Sequence, residues 1–159
     1  MKVTLTRDAE QFAARTEELF ERRVEYNLIA TVLAGVLAGS YARTAPLFAY
    51  GIDARETAFA ALRTPPWDML ATEIAAAAAR AFVATWLTQD PELPGVGGPK
   101  AAARPIADAW AHHTGGTTRC RMRELAYVLE RATDPPRPAQ GRLRLARKDE
   151  LPLMLEWMR

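Results

Sequence analysis

The chain has 159 residues, enough for one hydrophobic core but too few for two complete domains of ordinary size. Its 21 basic and 19 acidic residues give a net charge of +2 and are interspersed, which argues against a nucleic-acid-binding surface. The single cysteine excludes an internal disulfide, and neither a signal peptide nor a membrane-spanning run is evident. We therefore expect a soluble cytoplasmic protein without nucleic-acid or membrane partners.

The first part of the chain predicts one strand followed by two helices. Residues 2–6 alternate in polarity and include β-branched side chains, which favours a short strand. Asp8, with Gln11 three residues later, predicts the N-terminus of a first helix. Asn27 is a candidate N-cap for a second helix, which continues at helical spacing until Gly39.

The middle of the chain predicts three strands and a helix. Residues 46–52 and 57–64 are apolar runs separated by a short polar stretch, a pattern typical of an antiparallel hairpin. A proline pair ends the second of these strands, and residues 67–72 predict a third. Residues 73–87 are rich in alanine and have apolar side chains at helical spacing, which predicts a helix.

The next part predicts a strand, a helix and a long closing strand. Residues 93–96 are a very short strand candidate, and residues 100–114 predict a helix that begins after a glycine-rich entry turn. Residues 117–131 alternate in polarity and predict a strand that closes the sheet, with Cys120 buried in it.

The end of the chain predicts the start of another domain. Residues 134–140 contain three prolines and predict a stiff linker after a first domain of residues 1–133. Residues 141–159 then predict a strand at 142–146 and an apolar helix starting at Asp149. We expect them to be the first strand and helix of a second, truncated domain.

The predicted order of elements, βααβββαβαβ, resembles the GNAT superfamily of acetyl-CoA-dependent N-acetyltransferases. The sequence segments 61–66, 93–99 and 107–115 are similar to the N-terminal half of two-domain bacterial GNAT proteins. Residues 141–157 are similar to the join with their C-terminal GNAT domain. The resemblance implies an α/β (α+β) fold with a mixed, mostly antiparallel sheet and helices on both faces.

The sequence departs from the family where active members bind the coenzyme. Their third consecutive strand leads into an Arg/Gln-x-x-Gly-x-Gly/Ala loop, whose amides hold the pyrophosphate of coenzyme A. Here residues 70–75 contain no glycine and no basic residue, and Glu73 adds a negative charge. The resemblance therefore implies a degenerate GNAT-like domain without catalytic or cofactor residues, with acetyl-CoA expected on the C-terminal domain of the parent protein.

A few side chains are candidates for other roles. Arg63, Thr64 and Trp67 are the candidates for a substrate wall, because Trp67 follows a proline turn and can face a cleft. The other three tryptophans lie at apolar helix positions and are expected in the core: Trp86, Trp110 and Trp157. The adjacent pair His112 and His113 lacks metal-ligand spacing, so no metal site is predicted.

Three functions remain open from the sequence. The favoured one is the N-terminal domain of an acetyltransferase, which shapes the acceptor site or contacts its own C-terminal GNAT domain rather than catalysing. The alternative is a free-standing interaction module that forms homodimers through the apolar stripe of its terminal helix. The third is that the domain itself transfers acyl groups with a variant coenzyme loop, which would need preorganised donors that residues 70–75 lack.

Overall fold

The computed structural model describes residues 1–125, 127–137 and 140–158. The described elements are β1 (Lys2–Thr6), α1 (Ala9–Glu21), α2 (Asn27–Leu37), β2 (Leu47–Asp53), β3 (Glu56–Arg63), β4 (Met69–Ala71), α3 (Ala76–Leu87), β5 (Val96–Gly97), α4 (Lys100–Thr114) and α5 (Leu151–Trp157). Short 3-10 turns at Val24–Tyr26 and Lys148–Glu150 precede α2 and α5. The chain divides into two units, Met1–Ala126 and Tyr127–Arg159, and the five strands lie in the first.

The five strands form one mixed sheet in the order β1-β2-β3-β4-β5. The first four pair antiparallel with their neighbours. β4 and β5 are parallel, because the chain returns through α3 to the end of the sheet from which β4 starts. The fold is therefore a mixed α+β fold with a mostly antiparallel sheet, which confirms the predicted class at this level.

The central strand β3 separates two hydrophobic cores. Side chains alternate between the faces of a strand, so Phe59 and Ala61 lie on the side of α3 and α4. The rings of Phe59 and Phe82 meet edge to face there, with centroids 4.7 Å apart. Ala60 and Leu62 lie on the opposite side, in the core formed with α1 and α2. The sheet is thus covered by helices on both faces.

Local capping signals explain where the first two helices begin. The Asp8 side chain accepts a hydrogen bond from the Gln11 backbone N–H at 2.9 Å, which confirms the predicted start of α1. The predicted N-cap at Asn27 is wrong by one residue, because Asn27 is already the first residue of α2. The preceding 3-10 turn buries the Tyr26 ring, and its helical backbone continues directly into α2.

The glycine-rich stretch before α4 lets its backbone lie close to that of β4. Gly97 belongs to β5. The φ of Gly98 is +147°, a backbone conformation that residues with a Cβ rarely adopt. A Cβ at Gly98 would also collide with the carbonyl oxygen of Ala71 in β4. Pro99 follows as the N-cap of α4, so the stretch leads into the helix as predicted.

The predicted closing strand over residues 117–131 is wrong: residues 117–125 and 127–131 form no strand, and residue 126 lies outside the described residues. A strand needs a backbone partner, and the outer strand β5 spans only two residues. The alternating side chains Met122 and Tyr127 are accordingly 68% and 85% exposed. Cys120 is also exposed, not buried as predicted.

The end of the chain differs from the prediction in the same way. Residues 142–146 form no strand, whereas the predicted helix is present and begins with the 3-10 turn before α5. The predicted linker, residues 134–140, includes residues 138 and 139, which lie outside the described residues, as does residue 159. With its final strand missing, the predicted ten-element order is not confirmed as a whole.

We expect Gly98→Ala to lower the free energy of unfolding by about 2 kcal/mol or more, because the substitution adds backbone strain to a collision with β4. Gly115→Ala is a matched control, since Gly115 also has a positive φ, +72°, but faces open space. The control should cost only about 1 kcal/mol. Urea denaturation followed by circular dichroism measures both values, and equal losses would contradict the close approach of β4 and β5.

Candidate functional site

The end of β3 separates the three predicted wall residues. Arg63 continues the row of Phe59 and Ala61, so its side chain lies on the α3 side of the sheet. Thr64 lies beside a groove on the opposite side, together with Trp67, whose side chain is 67% exposed in the turn between β3 and β4. The structure therefore brings Thr64 and Trp67 together and directs the Arg63 side chain away from them.

Arg63 belongs to a buried polar network. Its Nη1 pairs with Oδ1 of Asp90, and the two side chains are only 8% and 14% exposed. The other oxygen of Asp90 accepts a hydrogen bond from Nε1 of Trp86 at 2.9 Å. Nε of Arg63 donates to the carbonyl oxygen of Trp67 at 2.8 Å. A satisfied buried network holds its members in one arrangement, so Arg63 ties the end of α3 to the β3–β4 turn.

A groove of about 540 Å³ lies beside this turn. Its lining is mostly apolar or aromatic and comes from α2, the loop after α2, the end of β3, the turn and β4: Leu28, Val32, Tyr41, Leu62, Thr64, Pro66, Trp67 and Leu70. This exposed concave surface brings the predicted wall residues Thr64 and Trp67 together, which makes it the candidate site.

Among the described residues that line the groove, the charged ones are Asp68 and Arg121. The Asp68 side chain is 26% exposed and packs against Gly95, where a Cβ would lie 2.9 Å from the carboxylate Oδ1. Nη2 of Arg121 pairs with Oδ2 of Asp68. Neither residue is predicted from the sequence, because an isolated acid in a turn and an arginine in an alternating stretch have no diagnostic spacing.

The polar side chains of the junction between β4 and α3 are bonded to other parts of the first unit. The buried Thr72 hydroxyl accepts a hydrogen bond from the Ala60 N–H at 2.9 Å. A Glu73 oxygen accepts one from Nη1 of Arg23 at 2.8 Å. Hydrogen bonds to Glu25 and Glu73 raise the pKa of Arg23 above its usual value. Glu73 therefore pairs with a cation of the same domain, and each side chain of the pair is 39% exposed.

A second groove, of about 630 Å³, lies between α3 and α4. Half of its lining is small and apolar, and the other half is charged: Ala76, Ala101, Pro105 and Ala109, with Arg80, Lys100, Arg104 and Asp108. Nε of Arg104 lies 3.8 Å from Oδ2 of Asp108, and both side chains are about 70% exposed, so this pair is weak. The described residues that line this groove include none of the predicted wall residues.

The tryptophans divide between core and surface. Trp86 is fully buried, as predicted, and Trp110 is partly buried against the same core. The prediction that Trp157 packs in a core is wrong, since its side chain is 72% exposed in α5. Helical spacing identifies an apolar face, but burial also requires a surface to pack against.

The described residues contain no group of three or more His, Cys, Asp or Glu side chains placed to hold a metal ion. His112 and His113 lie in the last turn of α4, where a positive charge would interact favourably with the helix C-terminus. In the described part of the chain, every helix is too short or too polar to cross a lipid bilayer.

Comparison with known proteins finds no matching family model, no matching curated protein and no matching solved structure. The GNAT resemblance therefore stays a prediction from the sequence. The groove is the structural feature that bears on function.

We expect Arg63→Ala to lower the free energy of unfolding by about 3 kcal/mol, because it leaves the Asp90 carboxylate buried without its cation. Arg104→Ala removes the same side chain from an exposed pair and should cost less than about 1 kcal/mol. Urea denaturation measures both. A similar small loss for the two variants would contradict the structural role of Arg63 and favour its predicted place on a substrate wall.

Proposed function

We propose that this chain is a non-catalytic N-terminal domain of a GNAT-type, acetyl-CoA-dependent N-acetyltransferase. In this proposal the groove forms part of the wall that receives the acceptor amine, and Thr64 and Trp67 belong to that wall. The run of elements from β1 to α4 supports the proposal, because it has the succession that the resemblance implies. The parallel pairing of β4 with β5 also supports it, because it makes the sheet mixed, as the resemblance implies.

The observation that carries the proposal is the contrast between the groove and the neighbouring junction. The groove combines apolar walls with one carboxylate, that of Asp68, and is open to solvent. The β4–α3 junction lacks glycine, and its Thr72 and Glu73 side chains are engaged with other parts of the domain. Such a domain would shape an acceptor site while acetyl-CoA binds to a C-terminal GNAT domain.

Apolar side chains in the second unit support a domain partner. Leu143 and Leu145 are almost fully exposed, and Leu151 and Trp157 of α5 are 57% and 72% exposed. Exposure of this many large apolar groups is unfavourable in water. We infer that a C-terminal GNAT domain covers them, and that pairing with its strands would give residues 142–146 the backbone partner that a strand needs.

Trp67→Ala tests the wall in a longer form of the protein that includes the C-terminal domain. We expect KM for the amine to rise about tenfold, because the indole is a contact surface for the acceptor. The Kd for acetyl-CoA, measured by calorimetry, should not change. Val24→Ala removes an apolar group that is 58% exposed outside the groove and should leave both constants unchanged.

Two results would contradict the proposal. One is a loss of acetyl-CoA affinity in Trp67→Ala with no change in KM for the amine. The other is tight binding of acetyl-CoA to residues 1–159 alone, which would favour the third possibility, a domain that transfers acyl groups itself.

A homodimerisation module is the second candidate function, and α5 is the observation that favours it. Leu151, Leu155 and Met158 recur at helical spacing and are 57%, 53% and 83% exposed. A second copy of this helix would cover the stripe.

If the protein dimerises through α5, Leu155→Glu should make the protein monomeric, because the substitution places a charge in the apolar contact. Light scattering coupled to size-exclusion chromatography measures the mass. Glu156→Gln changes an exposed neighbour on the same helix and should not alter it. A wild-type chain that is monomeric at high concentration would contradict the module.

A further inference from the structure

The fixed walls of the groove present a negative charge within an apolar surface. Asp68 follows the β3–β4 turn and is held by packing against Gly95, where the Gly95 carbonyl also accepts a hydrogen bond from the Met69 N–H at 2.9 Å. Around it lie the indole of Trp67 and aliphatic side chains of α2 and β4, such as Val32 and Leu70. A ligand that fits this surface has a positive group for the carboxylate and an apolar body for the walls.

Arg121 already occupies the position of such a positive group. Its guanidinium pairs with Asp68, but its side chain is 68% exposed. It belongs to the described stretch 117–125, which forms neither helix nor strand. An ion pair with so exposed a partner contributes little to stability and is screened by salt. The guanidinium is therefore an exchangeable cation, and a ligand that displaces it loses only a several-fold factor in affinity.

We propose that the groove binds an organic monocation with an aromatic or branched aliphatic body, whose ammonium replaces the Arg121 guanidinium at Asp68. The ammonium donates hydrogen bonds to the carboxylate, and the apolar body packs against Trp67 and Leu70. This inference rests on the proposed function in one respect: it names the class of acceptor amine that the wall would select. Anionic and strongly polar amines are disfavoured by the same walls.

The test is a titration of residues 1–159 with 2-phenylethylammonium, followed by calorimetry at low ionic strength. Its neutral analogue 2-phenylethanol keeps the apolar body without the charge. We expect the ammonium to bind at least about tenfold more tightly, because a charge-assisted pair contributes roughly that much. Equal affinities for the two compounds would overturn the inference.

Two variants locate the binding. Asp68→Asn should remove the preference for the ammonium, because the amide keeps the shape but not the charge. Arg121→Ala should tighten ammonium binding several-fold, since it removes the competing cation. A preference that survives Asp68→Asn, or Arg121→Ala binding no more tightly than wild type, would overturn the inference.

Charge-matched controls lie outside the groove. Asp53→Asn changes an exposed acid at the end of β2, and Arg104→Ala changes an exposed cation on α4. Both should bind the ammonium like wild type, and a thermal melt of each variant checks that it is folded. Because Arg121→Ala is expected to strengthen binding, a gain in that variant cannot result from misfolding.

The outcome separates this inference from the proposed function. Ammonium binding at Asp68 without acetyl transfer in the longer protein would support this inference. It would contradict the proposal that the protein is an acetyltransferase. Acetyl transfer in the longer protein, with no preference for the ammonium over its neutral analogue in the titration, would keep the acetyltransferase and overturn the inference.

Discussion

β3 lies between two hydrophobic cores, and the side of the sheet on which Arg63 and Thr64 lie depends on this strand. Because both of its faces are buried, a shift by one residue would exchange the side chains that the two cores receive. The alternation that sends Phe59 and Ala61 toward α3 and α4 also sends Arg63 there. The next residue, Thr64, then lies on the groove side.

The β3–β4 turn is held from both sides of the sheet. On one side, the Arg63 and Asp90 pair joins the turn to the end of α3 through the Trp67 carbonyl. On the other, Asp68 packs over Gly95, beside the close approach of β4 and β5 at Gly98. With its backbone fixed in this way, the turn can hold a tryptophan side chain in solvent, where an indole is available to a ligand.

The exposed apolar side chains of the chain's last third have a common physical origin. Residues 117–131 and 142–146 have the alternation of strands, but strands are stable only when a neighbour satisfies their backbone groups. α5 differs in that the hydrogen bonds of a helix are local and need no neighbouring strand, and it forms with its apolar stripe exposed. In the described residues, these segments therefore leave large apolar side chains in contact with water.

Local sequence determined the elements whose signals are contained within a few residues. The Asp8 cap, the β2–β3 hairpin, the alanine-rich helix α3 and the entry turn of α4 follow from capping, alternation and glycine chemistry. Tertiary structure alone decided which residues meet: Asp68 with Arg121 across 53 positions, Arg63 with Asp90 across 27, and Glu73 with Arg23 across 50. It also decided that residues 117–131 form no strand in their described part. The reason is that periodicity records which face of an element is apolar, whereas pairing and burial depend on neighbours that are distant in the chain.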